Sequence, residues 1–272
     1  MMGNRSITLG AAGLTDKGCG REENEDAFLV DMQRGLFAVA DGVGGHEGGY
    51  VAAQTVVQQL PAYVDRHLAD HRRAVKKGLR NAVLDLSAAI RKSGRQAGTL
   101  RGMGSTLAGL LVRQRHAYVV SMGDSRVYRW RNGLSCLTED HSVTGLLLRE
   151  GEISARSAEG HPARGQLTRY VGMEHEVYPD TFCLRIAAGD RFLLCTDGVW
   201  NVLPDGEIGT ILSEEGEPGS ACARLIRSAK ARDVRDNVTC VIVACSKSVS
   251  KSSKRGSTVY GYGREGSRHE RN

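Results

Sequence analysis

The sequence predicts an α+β fold in which helices cover antiparallel sheets, and three observations support this prediction. Strand-like and helix-like segments occur in blocks rather than as alternating βαβ units. Neighbouring strand-like segments are joined by brief links, as antiparallel strands are. One helical segment places its apolar residues on a single face, which indicates that the helix covers a sheet.

The first half of the chain contains one clear buried strand followed by two helices. Residues 36–40 form an apolar run that stops at Asp41 and Gly42, which predicts a strand entering a turn. Helices are predicted over 49–68 and 75–95. In the second helix, four apolar residues share one face at helical spacing: Leu79, Val83, Leu86 and Ile90.

The rest of the chain continues in the same way. Short runs rich in β-branched, aromatic and leucine residues predict strands at 105–112, 117–122, 126–130, 181–186, 191–195 and 238–244. Helices are predicted around 205–213 and 220–231, between the last two strands. Residues 142–169 break the pattern with a polar stretch and short helical pieces, which predicts an inserted flap near a functional site.

Length and composition favour one large domain with a tail. The chain has 272 residues, of which 40% are hydrophobic, and five prolines, so residues 1–245 can bury a substantial core. Residues 246–272 contain seven basic and two acidic residues and account for +5 of the net charge of +6. A segment so rich in Ser, Gly, Arg and Lys cannot offset the entropy of ordering, so we expect it to be disordered.

Composition also limits the expected location and partners. Because the positive charge lies in the tail, it gives no evidence that the main domain binds nucleic acid. No run approaches the ~20 apolar residues that span a bilayer, and the N-terminus lacks the apolar centre of a signal peptide. We expect a cytoplasmic protein without nucleic-acid or membrane partners, and a monomer is the simplest expectation.

The seven cysteines indicate neither a disulfide framework nor a zinc site. They form an odd set without a Cys-x-x-Cys pair, and several lie in apolar runs. We expect them to be reduced, small core side chains.

Five aspartates in turn-like contexts are the strongest functional signal. They occur in the strings REENED (21–26), ADGVGGH (40–46), GDSR (123–126), TDG (196–198) and DNVT (236–239). Each Asp-Gly or Asp-Asn pair by itself is explained by turn chemistry. Most of these aspartates, however, adjoin a strand-like apolar run, where carboxylates at strand ends can meet in one pocket.

Converging carboxylates need a counter-charge. Two of them about 4 Å apart repel by roughly 4 kcal/mol at an effective dielectric near 20, so a shared pocket requires protons or metal ions. An all-oxygen ligand set suits Mg²⁺ or Mn²⁺ rather than Zn²⁺.

Taken in order, these strings resemble the metal-dependent phosphatases of the protein phosphatase 2C family in their compact bacterial form. The match covers about residues 8–244. It includes the further strings GST (104–106), LTEDHS (137–142), GEI (151–153), HP (161–162), LTR (167–169) and GDRFLLCTDGVW (189–200). The resemblance implies a β-sandwich of two antiparallel sheets flanked by helix pairs, and a protein serine/threonine phosphatase.

The resemblance also implies a metal site with two ions of Mn²⁺ or Mg²⁺. By position, Asp41 resembles the carboxylate that bridges both ions, and the carbonyl of Gly42 lies on one of them. Asp197 and Asp236 complete the other. A hydroxide bridging the two ions is then the nucleophile that attacks phosphorus.

Four other residues have implied roles in the same site. Asp124, with Asp197, matches a third and weaker metal position. Glu25 and Asp26 match positions that hold metal-bound water. Arg21 is placed to bind the phosphate through its planar fork, which lysine lacks.

One position departs from many eukaryotic members of the family. They have Asp-Gly-His where this chain has Val43, and that histidine is a candidate general acid. Either metal-bound water or another group such as His46 must then supply the proton. A structural role for His46 is an equal alternative, and His141 and His161 are expected to be structural.

The resemblance implies phosphorylated proteins as partners, namely the substrates of a bacterial Ser/Thr kinase and the kinase itself. A nucleotide-binding fold is disfavoured, because Glu47 stands where a dinucleotide fingerprint requires its third glycine. The rival from another class is a catalytically silent module of the same fold that binds or regulates a phosphoprotein. Such a module is expected to have lost metal ligands.

Overall fold

The computed structural model describes residues 7–44, 46–70, 74–97, 100 and 102–247. The strands are β1 (Ile7–Asp16), β2 (Asp26–Asp31), β3 (Leu36–Val43), β4 (Gly104–Ser105), β5 (Leu107–Arg113), β6 (His116–Met122), β7 (Arg126–Trp130), β8 (Leu134–Cys136), β9 (Asp180–Arg185), β10 (Arg191–Cys195) and β11 (Val238–Lys247). The helices are α1 (His46–Asp70), α2 (Val75–Ala97), α3 (Val143–Arg149), α4 (Ala155–Glu159), α5 (Asp197–Trp200), α6 (Asp205–Glu214) and α7 (Pro218–Lys230).

Two antiparallel sheets form the centre of the fold. One sheet has the strand order β1-β11-β10-β7-β8. The other has the order β2-β3-β5-β6-β9, and the short β4 pairs with β3. Each of these neighbouring pairs is antiparallel. The predicted α+β fold with two antiparallel sheets is confirmed.

Three apolar layers hold the sheets and helices together. Phe37, Phe192 and Val241 pack between the two sheets. The helices α1 and α2 cover the outer face of the sheet that contains β3, and α6 and α7 cover the outer face of the sheet that contains β11. All four apolar residues predicted on one face of α2 are fully buried: Leu79, Val83, Leu86 and Ile90.

Most predicted elements are present, with ends shifted by a few residues. The strand predicted over 105–112 is present as β4 and β5, which pair with β3 in one continuous register. It is interrupted at Thr106, where the Asp41 N–H donates to the Thr106 hydroxyl in place of the backbone carbonyl. Sequence patterns missed β1, β2, β8 and α5. Gly and Ala are frequent in β1, which hides its strand character, while β8 has three residues and α5 is a single turn.

The segment 142–169, predicted as a flap, carries the two short helices α3 and α4. Ser142 caps α3, since its Oγ accepts a hydrogen bond from the Gly145 N–H at 3.1 Å. Ser142 also forms an isolated bridge with Leu167, near the other end of the segment. The segment therefore leaves and rejoins the sandwich at one place.

The cysteine prediction is correct for four residues and wrong for three. All seven cysteines are free, and Cys195, Cys222, Cys240 and Cys245 are buried. The other three are exposed rather than core residues: Cys19, Cys136 and Cys183.

In the part of the chain that the structure describes, no helix combines the length and apolar character needed to cross a membrane. The predicted tail lies, from residue 248 onward, outside the described residues.

Candidate functional site

Five aspartates meet at one end of the sandwich. Asp26 begins β2 and lies directly opposite Asp41 in β3. Asp124 follows β6, Asp197 begins α5 immediately after β10, and Asp236 lies two residues before β11. Desolvation, and then the charges of the other four aspartates, raise the pKa of Asp41 well above its ordinary value. Asp41 therefore lies at the centre of the group.

Hydrogen bonds between strands fix the backbone of Asp41. Its N–H donates to Thr106 Oγ1 at 2.9 Å, and the Thr106 N–H donates to the Asp41 carbonyl at 2.8 Å. Thr106 Oγ1 also lies 2.6 Å from the hydroxyl of Ser125, the residue after Asp124. Thr106 and Ser125 thus tie two of the aspartate turns together, a role that their sequence positions do not indicate.

The five aspartates form a cleft, and two of their carboxylate oxygens are buried without a hydrogen-bond partner in the described chain. Oδ1 of Asp26 and Oδ1 of Asp197 have no hydrogen-bond partner within the described chain. Their other oxygens accept hydrogen bonds, from the Thr196 hydroxyl at 2.8 Å and from the Asn201 amide at 3.0 Å respectively. A buried acceptor left unpaired costs about 1–3 kcal/mol, so both oxygens are suited to bind a ligand.

The carboxyl groups of the cleft resist ionisation. Desolvation is the largest cause, and it raises the pKa of Asp26 to about 7, of Asp124 to about 8 and of Asp197 to about 6. Repulsion adds to it, since the charge of Asp197 acts on Asp26 and Asp124, and the charge of Asp236 acts on Asp197. Protons or cations must therefore balance this charge.

The donor set fits a hydrated divalent cation that prefers oxygen. Carboxylate and carbonyl oxygens suit Mn²⁺ or Mg²⁺, and the two unpartnered oxygens offer lone pairs to such an ion. Among the described residues, no three Asp, Glu, His or Cys side chains lie close enough to form a closed ligand cage.

Arg21 lies at the outer edge of the aspartate group. Its Nη2 donates to Asp236 Oδ2 at 2.9 Å, and both side chains are about half exposed. The two residues and Asp197 line a cavity of about 320 Å³. A guanidinium has five donors, so the bond to Asp236 leaves others available to a ligand in this cavity.

Asn237 holds the loop that carries Arg21 and Glu25. Its Oδ1 accepts a hydrogen bond from the Glu25 N–H at 2.8 Å. Its Nδ2 donates to the carbonyls of Lys17 at 3.0 Å and Glu23 at 2.9 Å. The string DNVT pointed to Asp236 but not to this role of Asn237, because the loop lies more than two hundred residues earlier in the chain.

Two glycines allow the start of α1 to approach the site closely. A Cβ added at Gly42 is 2.3 Å from the backbone of Gly49. A Cβ added at Gly49 is 2.3 Å from Oε2 of Glu25 and 3.0 Å from the Gly42 carbonyl carbon. Glycine is therefore required at both positions for the Gly42 carbonyl and the Glu25 carboxylate to keep their places.

The substitution Gly49→Ala is expected to weaken Mn²⁺ binding by about 10–100-fold, the usual cost of disturbing groups around metal ligands. The added methyl group must displace the Glu25 carboxylate and press on the Gly42 carbonyl. Mn²⁺ titration calorimetry measures this loss. The matched control is Gly206→Ala in α6, where a Cβ meets nothing within 4 Å. Equal Mn²⁺ affinity for the two variants would contradict the prediction.

A larger cavity of about 810 Å³ separates the aspartates from the segment 142–169. Asp124, Asp197 and Trp200 line one side, and residues of the segment, including Leu148 and Arg164, line the other. Asp197 also borders the smaller cavity beside Arg21, so it lies where the two cavities meet. The segment 142–169 therefore borders the cavity beside Asp124 and Asp197.

The histidines named in the sequence analysis have different positions. The side chain of His46 lies outside the described residues. His161 lies two residues after the C-terminal end of α4, and its Nδ1 accepts a hydrogen bond from the Ala163 N–H at 3.1 Å. His141 is buried, and it makes hydrogen bonds to Gly123, the residue before Asp124, and to Asp180.

The chain is similar to characterised phosphatases over most of its length. Residues 20–213 match the family model described as protein phosphatase 2C. The serine/threonine phosphatase stp of Listeria monocytogenes is 34% identical over 234 residues, which cover 84% of this chain and 93% of that protein.

Solved structures agree with this similarity. The crystal structure of the Mycobacterium tuberculosis serine/threonine phosphatase PstP/Ppp has a TM-score of 0.79 and 34% identity, covering 87% of this chain and 98% of that one. The catalytic domain of PstP in complex with two manganese ions has a TM-score of 0.78 and 32% identity, covering 89% and 100%.

Proposed function

This chain belongs to the protein phosphatase 2C family and is a metal-dependent serine/threonine protein phosphatase, and we propose that it hydrolyses phosphoserine and phosphothreonine at the aspartate cleft. One observation carries the assignment of the site. Five aspartates from distant parts of the chain converge, and two of their buried oxygens have no partner within the described residues.

The proposed ligand set follows the family resemblance. Asp41, at the centre of the group, would hold both ions of Mn²⁺ or Mg²⁺, and the Gly42 carbonyl would help to hold one of them. Asp197 and Asp236 would hold the other ion. Two observations support this assignment. Oδ1 of Asp197 has no hydrogen-bond partner among the described residues, and the charges of the other four aspartates all act on Asp41.

The outer residues have supporting roles. Asp124 is assigned to a third ion together with Asp197, whose charge acts on it. Glu25 and Asp26 are assigned to hold the ions through water. Asp26 supports this role because its Oδ2 already accepts the Thr196 hydrogen bond, which leaves Oδ1 for one further donor.

When bound, the two ions acidify water and neutralise phosphate charge. The chain's own groups bind and orient the phosphate. Arg21 offers its remaining N–H donors to two phosphate oxygens, and Asp236 holds the guanidinium at the cavity edge. Asn201 keeps the Asp197 carboxylate in place through a hydrogen bond at 3.0 Å.

Phosphate release from a phosphothreonine peptide tests this function. The unsubstituted protein is expected to show turnover with Mn²⁺ and none with EDTA. Arg21→Ala is expected to raise KM by about 10–100-fold, since a hydrogen bond to a charged group contributes about 1.5–3 kcal/mol. Arg21→Lys is expected to recover only part of this loss, because it keeps the charge and lacks the planar fork.

Two results would count against the proposal. Bound Mn²⁺ without turnover would favour a catalytically silent module that binds phosphoproteins. Equal KM values for Arg21→Ala and the unsubstituted protein would remove Arg21 from phosphate binding. Arg235→Ala is the control, since Arg235 lines the same small cavity and its side chain is 82% exposed.

The physiological setting is part of the proposal. The enzyme is assigned to the cytoplasm as a monomer, where it acts on substrates of a cognate Ser/Thr kinase and on the kinase itself. The segment 142–169 is assigned as the flap that contacts the substrate protein, because it lines the cavity beside Asp124 and Asp197. Mass measurement by light scattering tests the monomer, with 29.4 kDa expected.

A further inference from the structure

The turn that carries Asp124 has a demanding backbone. Gly123 has a φ of +107°, and a Cβ added there is 2.7 Å from the Thr106 side chain. Asp124 itself is 7% exposed. Glycine is therefore required at 123, and the groups that hydrogen-bond to this turn help to fix the position of the Asp124 carboxylate.

His141 holds this turn from one side. The His141 N–H donates to the Gly123 carbonyl at 3.0 Å, and the Gly123 N–H donates to His141 Nδ1 at 3.2 Å. Because Nδ1 accepts a hydrogen bond, the ring proton belongs on Nε2, which donates to Asp180 Oδ2 at 3.0 Å. Both ring nitrogens of this buried histidine are therefore used.

The same histidine lies where both ends of the flap join the sandwich. Residue 142, where the flap begins, follows it directly. At the other end of the flap, the Thr168 N–H donates to the His141 carbonyl at 2.8 Å. Its partner Asp180 also accepts a hydrogen bond from Arg169 at 3.0 Å. His141 thus connects the base of the flap to the Asp124 turn.

Trp200 holds the turn from the other side. Its Nε1–H donates to the Asp124 carbonyl at 3.0 Å. The guanidinium of Arg126 stacks on the indole at 3.5 Å from the ring centroid. Arg126 also bonds both oxygens of Asp140, at 2.9 and 2.7 Å, and Asp140 directly precedes His141. The two sides are therefore joined to each other.

We propose that His141 and Trp200 are positioning residues that set the place of Asp124 and couple it to the base of the flap. Neither residue is assigned to bind substrate or metal. The inference rests on the proposed function, in which Asp124 binds the third and weakest ion. Groups that orient a metal ligand typically change metal affinity by about 10–100-fold when they are replaced.

A pair of His141 variants separates the two ring nitrogens. In His141→Asn the amide oxygen occupies the place of Nδ1 and still accepts from Gly123, while the link to Asp180 is lost. In His141→Gln the amide reaches the place of Nε2 and keeps Asp180, while the Gly123 N–H loses its acceptor. We expect His141→Gln to weaken the weakest Mn²⁺ site by about 10–100-fold, and His141→Asn to stay near the unsubstituted protein.

Mn²⁺ binding isotherms of the full chain are the measurement, followed by phosphopeptide turnover at each Mn²⁺ concentration. Trp200→Phe removes the indole donor and is expected to weaken the same Mn²⁺ site. This variant provides a second test if a His141 variant does not fold. The control His67→Asn removes the hydrogen bond of 2.8 Å between His67 Nε2 and Asp85 Oδ2, which joins α1 and α2 away from the cleft.

Similar isotherms for His141→Asn and His141→Gln would overturn the inference, whether both match the unsubstituted protein or both are equally weakened. An unchanged isotherm for Trp200→Phe would remove Trp200 from it. Absence of turnover in the unsubstituted protein would instead contradict the proposed function, and the isotherms would still decide the positioning role.

Discussion

Replacement of Asp197 by Asn is expected to abolish Mn²⁺-dependent phosphate release and, at the same time, to make the metal-free protein more stable. Asp197 is assigned as a direct metal ligand. Loss of a group that only orients a ligand lowers activity by up to about 10²-fold, so we expect loss of the ligand itself to lower turnover by at least that factor. Desolvation and the charge of Asp236 raise the pKa of the Asp197 carboxyl to about 6. The ionised carboxylate therefore destabilises the folded, metal-free protein at neutral pH, and its removal is expected to stabilise the protein. An amide of the same shape carries no charge to desolvate.

The hydrogen bond from Asn201 survives this change, because the new amide oxygen can accept it at the same place. Thermal unfolding in EDTA and phosphopeptide turnover in Mn²⁺ are the two measurements. Asp85→Asn is the control, since Asp85 is a half-exposed residue paired with His67 on the helix surface. A variant that loses activity and is also less stable without metal would contradict the account of Asp197 as a carboxylate that burial and the charge of Asp236 destabilise.

The metal-free protein is expected to become less stable as pH rises from 4 to 8. Asp26, Asp124 and Asp197 have folded pKa values of about 7, 8 and 6, whereas an unfolded aspartate titrates near 3.9. Between these values the folded protein holds more protons than the unfolded chain, so stability is full below pH 4 and is lost as pH rises through the folded pKa values. Each retained proton contributes a slope of about 1.4 kcal/mol per pH unit.

Mn²⁺ is expected to reverse this trend, because the ion competes with protons for the same carboxylates and binds best when they are ionised. Melting temperatures measured in EDTA and in Mn²⁺ between pH 5 and 8 provide the comparison. In EDTA, Asp26→Asn should flatten the fall with pH, since one titrating carboxyl is removed. Parallel curves with and without Mn²⁺ would show that these carboxylates do not form the metal site.

Local pattern was sufficient for much of the fold. The apolar face of α2 and the runs at 117–122, 126–130 and 191–195 were predicted correctly, because helix and strand periodicities are properties of neighbouring residues. The interruption at Thr106 was not predictable in this way. It depends on a hydrogen bond from the Asp41 N–H to the Thr106 side chain, sixty-five residues apart, and no local pattern contains that partner.

The sequence by itself determined the family and pointed to the residues that are proposed to carry the chemistry, since acidic turns and one arginine in a fixed order are properties of the chain. Only the tertiary structure decided how these residues are held. Thr106, Asn237, Trp200 and His141 lie in strings that carry the family resemblance, yet their local sequence does not show that they fix the aspartate turns. Their hydrogen bonds join residues from 18 to 212 positions apart in the chain. Hydrogen bonds act over about 3 Å in space, so their partners are set by the packed fold rather than by neighbours in the chain.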